Sequence, residues 1–180
     1  KTNGATFYPE NPPRTPNPQI GPIGAGSNPL DGGSEYGAPH GTLCAGVLAA
    51  RCNNKNGGNT YIGITGLAGA CEILPIRLEA NTPFELQAAI NYAAGQGCKV
   101  ISYSNQDPSF QDSGIETAVQ TASATAVICA AAGNDESLTI GYPAAYSQYV
   151  MACSATDDSG NENRCTGIWN SNTGSGANYG

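Results

Sequence analysis

Charge is what this sequence has least of. Only 12% of its 180 residues are charged, and seven Lys plus Arg stand against 14 Asp plus Glu, for a net charge of −7. A phosphate backbone rewards clustered Lys and Arg, so nucleic acid and anionic membrane surfaces are poor partners for such a chain. No apolar run reaches the ~18 residues of a membrane span, and no signal-peptide pattern stands at Lys1. No CxxC or Cys/His cluster suggests zinc. No GxGxxG or P-loop follows a strand, which sets aside a nucleotide-binding doubly wound domain. Lysine is scarce while cysteines number seven, an odd count. That combination leans towards an extracellular or otherwise extracytoplasmic protein, with some disulfides and at least one free thiol.

What is present fits one domain, large enough to bury about 70% of its unfolded surface. Residues 1–39 hold eight of the twelve prolines. Proline fixes φ and removes a donor, so this arm reads as an extended loop rather than a helix or a central strand. Phe7, Tyr8, Ile20 and Ile23 give it something to pack. At its end stands His40, the only histidine, in Pro39-His40-Gly41-Thr42-Leu43-Cys44-Ala45-Gly46. A helix is expected from about His40 to Arg51, with Leu43, Val47 and Leu48 as its buried stripe. An imidazole in the first turn is held by the helix yet free to face a cleft. Residues 53–59 are loop by composition. Their carbonyls could hold calcium as a structural ion, but the loop has no carboxylate, and no cofactor is expected.

From Cys71 the punctuation becomes regular. Residues 73–78 read as a short strand made irregular by Pro75. Thr82-Pro83-Phe84-Glu85 is a capping box with proline at the first helical position. Leu86, Ala89, Ile90 and Ala93 then follow at helical spacing, with a stop near Gly95 or Gly97. Residues 99–103 form a strand. Ser113-Gly114-Ile115-Glu116 reads as a second capping box, with Ile115, Ala118, Val119 and Ala122 on the core face. Residues 126–132 are a continuous apolar strand of the kind buried on both faces, and 149–155 are another. This alternation specifies βαβ units and a parallel sheet flanked by helices. Ligands bind beyond the carboxyl ends of such strands. Two turns qualify: Ser104-Asn105-Gln106 and Gly133-Asn134-Asp135.

Taken in order, these pieces resemble the subtilisin-like serine proteases. His40-Gly41-Thr42 with Cys44-Ala45-Gly46 is similar to that family's histidine motif. Val100-Ile101-Ser102-Tyr103-Ser104 followed by Pro108 resembles its substrate-binding strand. Ala130-Ala131-Ala132-Gly133-Asn134 resembles the strand presenting the oxyanion asparagine, and Gly141-Tyr142-Pro143-Ala144 continues the match. Gly66-Leu67-Ala68 and Leu74-Pro75-Ile76-Arg77 fit the connecting strand. The resemblance implies a three-layer α/β fold with a mostly parallel sheet, and a serine endopeptidase that acts on polypeptides by acyl transfer. It implies His40 as the base and Asn134 as the oxyanion donor. It further implies that Ser104, Asn105 and Gln106 pair with an extended peptide, while Ala132 and Gly133 help wall the primary pocket. The family usually has Ser-Leu-Gly where this chain has Ser-Asn-Gln.

Two of the family's motifs have no match. Asp31, in Leu30-Asp31-Gly32-Gly33, follows no strand and reads as a loop residue rather than the orienting acid. Ser175, in Gly174-Ser175-Gly176, opens no helix and reads as a linker turn. The expectation is therefore the central part of a catalytic domain, residues 40–180 with the arm 1–39, incomplete at both ends and inactive by itself. Other segments or chains would complete it. The alternative is a catalytically inactive subtilisin-like domain used for peptide binding or assembly.

Overall fold

The computed structural model describes residues 5–7, 40–56, 58–78, 80–156 and 177–178. They fall into two units, one ending at Arg77 and the other running on from Leu78. Most of the proline-rich arm, Asp31, Cys165 and Ser175 lie outside the described residues. Within the arm, Ala5–Phe7 forms strand β1, paired with strand β2 (Ile76–Leu78) in a two-stranded sheet. The loop expected there is thus interrupted by a short strand. β2 begins only after Pro75, because proline has no N–H to give a ladder.

Helix α1 (His40–Ala49) belongs to the first unit and starts where expected. Its apolar stripe is not buried, however: Leu43, Val47 and Leu48 are all exposed. The described residues of this unit supply no layer for that face to cover. What fixes α1 is its far end. The N–H groups of Gly66, Leu67 and Ala68 donate to the carbonyls of Ala50, Val47 and Leu48 at 2.9, 3.1 and 2.8 Å. Those carbonyls have no partner inside the helix, so the returning segment satisfies them. The approach requires glycine: a Cβ on Gly66 would meet the backbone of Ala49 and Ala50.

The second unit carries a parallel sheet in the order β3–β4–β5, formed by Val100–Tyr103, Val127–Ala131 and Val150–Cys153. Ile101 pairs with Ile128, and Ile128 with Val150. Helices α2 (Pro83–Gly95) and α3 (Ser113–Ser123) cover one face. Leu86 and Ile90 from α2 meet Ile115 and Val119 from α3 over Ile128, Ala130 and Val150. Each large side chain buried here contributes about 1.5–3 kcal/mol. The core is therefore one apolar layer between helices and sheet.

β4 was expected to be buried on both faces, and it is not. Ile128 and Ala130 are buried while Val127 is half exposed, at 52%, so the strand alternates. Val100 and Met151, each 59% exposed, share that second face. A continuous apolar run conceals this, since alanine and valine carry no polar marker of the open side.

The capping box at Thr82 forms as expected. Thr82 Oγ1 accepts from Glu85 N, and Glu85 Oε2 accepts from Thr82 N, both at 3.3 Å. The second box does not. Asp112, not Ser113, caps α3, its Oδ1 accepting from Gly114 N and Ile115 N at 2.8 and 3.0 Å. A carboxylate satisfies two orphan donors and also suits the positive end of the helix dipole. Ser113 becomes the first helical residue.

Candidate active site

In the first unit, His40 is the opening residue of α1 and is exposed. The sulfur of Cys44, one turn on, lies 3.6 Å from its Nε2. The asparagine loop of the same unit spends two of its carboxamide oxygens on itself. Asn56 Oδ1 accepts from Gly58 N and Thr60 N, each at 3.0 Å, and Asn59 Oδ1 accepts from Lys55 Nζ at 2.8 Å. With no carboxylate and these oxygens engaged, the loop does not fit a calcium ion.

In the second unit the candidate residues gather at the carboxyl ends of β3 and β4. Tyr103 ends β3 with its hydroxyl donating to Asn81 Oδ1 at 2.7 Å. Burial pushes this phenol up to about 12, opposed in part by the hydrogen bond with Asn105. Ser104 and Asn105 follow, both exposed. Asn105 Oδ1 accepts from Gln106 N at 2.8 Å, which tightens the turn. Asp107 then pairs with Tyr142, each N–H donating to the other's carbonyl at 3.1 and 3.2 Å. That bridge ties the segment after β3 to residues 141–142.

β4 delivers Ala132 and Gly133, both buried, and then Asn134, which is exposed. Gly133 has φ +117°, a conformation open to glycine and costly for any other residue. It reverses the chain so that Asn134 emerges beyond the strand. The Asn134 carboxamide makes no hydrogen bond among the described residues. Next to it, Asp135 Oδ2 accepts from Gln106 Nε2 at 3.2 Å. Ser104, Asn105, Gln106, Ala132, Gly133 and Asn134 thus occupy one end of one sheet, as the sequence suggested.

One residue of this site was not foreseen. Asn178 is 1% exposed and sits inside the turn that carries Asn134. Its Oδ1 accepts from Asp135 N and Ser137 N at 2.8 and 3.1 Å. Its Nδ2 donates to the carbonyls of Ala132 and Thr139, each at 3.0 Å. Its own N–H donates to Gly133 O at 3.0 Å, and its carbonyl accepts from Ser154 Oγ at 2.6 Å. Every polar group of this residue is used, and the loop 132–139 is wrapped around it. A polar side chain among glycines carries no local sign of such depth.

The six described cysteines are free thiols. The expected disulfides therefore do not appear among the described residues. Cys129 and Cys153 stand on neighbouring strands and on the open face of the sheet, with their thiols in contact. Burial first, and Cys153 second, push the Cys129 thiol up. No helix among the described residues is long and apolar enough to cross a membrane.

Comparison with known proteins identifies a family. Residues 27–177 match the subtilase family. The chain is 38% identical over 137 residues to Thermitase of Thermoactinomyces vulgaris, covering 73% of this chain and 46% of that protein. It is 30% identical over 143 residues to Subtilisin Savinase of Lederbergia lenta, covering 77% of this chain and 50% of that one. Among solved structures, a serine-to-alanine mutant of the protease domain of PatA superimposes with a TM-score of 0.51. That pair is 23% identical and covers 63% of this chain and 42% of the other, a likeness that speaks to the fold alone. The chain spans about half the length of the curated relatives it matches. Its parallel sheet with flanking helices is the subtilisin-like α/β arrangement, and the chain belongs to the subtilase family of serine proteases.

Proposed function

We propose that this chain is the central part of a serine endopeptidase that hydrolyses peptide bonds by acyl transfer. His40 takes the proton from the attacking hydroxyl and returns it to the leaving amine. The carboxamide of Asn134 donates to the oxygen that becomes negative as the carbonyl turns tetrahedral. Ser104, Asn105 and Gln106 run beside the extended substrate, and Ala132 with Gly133 line its primary pocket. The observation that carries this reading is Asn134 itself. Its amide, uncommitted among the described residues, stands exposed at the end of a strand, on a turn that Asn178 braces from inside. A turn braced before the reaction fixes where the donor's backbone stands, and that reduces the reorientation the reaction requires.

The serine nucleophile and the orienting aspartate belong, in this proposal, to other segments or chains, and residues 40–180 by themselves do not hydrolyse peptides. Two facts support that: the match covers only about half of each relative, and the sheet's second face stands open. The low lysine content and seven cysteines favour a place outside the cytoplasm.

The test is kinetic and uses the whole protein. Asn134→Leu should lower kcat by roughly 10²–10³ with KM nearly unchanged, since the interaction is made in the transition state. His40→Ala should lower kcat by about 10⁴ or more. Activity that survives both substitutions would remove these residues from the mechanism. Peptide binding without turnover in the unaltered protein would instead favour the inactive binding domain.

A further inference from the structure

The side of the sheet turned away from α2 and α3 carries sulfur. Val150 is buried against the helices, so Met151 and Cys153 of β5 face the other way. In β4, Cys129 stands between the buried Ile128 and Ala130 and shares that outer side. Register brings the three together. Cys129 pairs directly with Met151, and Cys153 stands in the next outward row, opposite Ala131. The Cys153 thiol leans back along its own strand, Sγ donating to the carbonyl of Met151 at 3.7 Å. That lean carries it towards the row that holds Cys129, and the two thiols interact. Met151 and Cys153 are exposed and Cys129 is half-buried, and neither cysteine is in a disulfide.

We propose that Cys129, Cys153 and Met151 form a binding site for a soft monovalent metal ion, Cu(I). Two thiolates and a thioether are the donor set that such an ion selects. Zinc would need four ligands, and no group of three or more His, Cys, Asp or Glu stands together among the described residues. A disulfide is the other product that two neighbouring thiols give, and the register disfavours it. Cys129 and Cys153 are two residues out of step. At ~3.3 Å per residue and ~4.8 Å between strands, their α-carbons stand roughly 8 Å apart, beyond the ~7 Å that a disulfide reaches. An ion between the sulfurs adds a second bond to the bridge, each of about 2.3 Å to a thiolate, and suits the wider gap. Each thiol gives up its proton as the ion binds. The site follows from strand register and the lean of one thiol, and it is independent of the peptidase reading.

The experiment titrates the whole protein, reduced and kept from oxygen, with Cu(I) supplied from a coloured chelator. Cys129→Ser and Cys153→Ser should each hold one equivalent fewer than the unaltered protein. Met151→Leu should keep that equivalent but surrender it at a lower chelator concentration. A second measurement needs no variant, and so stands even if a substitution fails to fold. Iodoacetamide treatment followed by peptide mapping should find Cys129 and Cys153 shielded together when Cu(I) is present and alkylated when it is absent. Equal stoichiometry in the unaltered protein and both serine variants would overturn the proposal, as would alkylation of the two cysteines that Cu(I) does not change. Recovery of Cys129 and Cys153 joined as a disulfide from the native protein before reduction would overturn it as well.

Discussion

Asn178 and Tyr103 show what single residues do for this site. The Asn178 side chain serves two N–H donors and two carbonyls of one loop. Asn178→Ala strips all four of partners in a place water reaches poorly. The expected loss is on the order of 3 kcal/mol of stability, read from the denaturant midpoint at constant m-value. Tyr103 makes a prediction in pH. Its phenol is protonated in the fold up to about 12, against an ordinary value of 10.0. The folded state therefore holds the proton more tightly than the unfolded chain. That stabilisation is full below pH 10 and disappears as pH rises from about 10 through 12, a change of order 2 kcal/mol. Unfolding free energies across that range should show the slope, and Tyr103→Phe should flatten it. Neither role was legible in the sequence. Asn178 contacts Ala132, 46 positions away, and only the folded loop makes that neighbour. His40 and Asn134, by contrast, stood out because their flanking residues formed ordered motifs.

At the scale of the element, what was legible was what is local. The start of α2 follows from Thr82 and Glu85, three residues apart, and its buried face from the spacing of Leu86, Ala89, Ile90 and Ala93. α3 shows where local reading stops. Ser113 and Glu116 match the capping pattern as well as Thr82 and Glu85 do, yet Asp112 holds the helix end. The backbone of Asp112 is anchored as well, its N–H donating to the hydroxyl of Tyr146 at 2.9 Å, and the carboxylate alone serves the helix end. Asp112→Ala should therefore cost about 1 kcal/mol or more, while Ser113→Ala should be near neutral, a contrast that thermal unfolding of the two variants measures. The α1 stripe and β4 erred for a shared reason. An apolar residue declares that it can be buried, and only a facing layer decides whether it is.

For the molecule as a whole, the open side of the sheet is the feature that matters. Val100, Val127 and Met151 expose more than half their surface on one face, while the opposite face is sealed by α2 and α3. An α/β sheet of this class is covered on both sides, because bare apolar strands invite association. On the proposed account, segments beyond those of this chain supply that cover and bring the nucleophile with it. The measurement that bears most directly on this is fluorophosphonate labelling of the protein from its native source. The account predicts a probe-modified serine on a polypeptide that contains or accompanies this sequence, and no modification when His40 is replaced by alanine. A native protein that leaves the probe unreacted, with His40 intact, would contradict it.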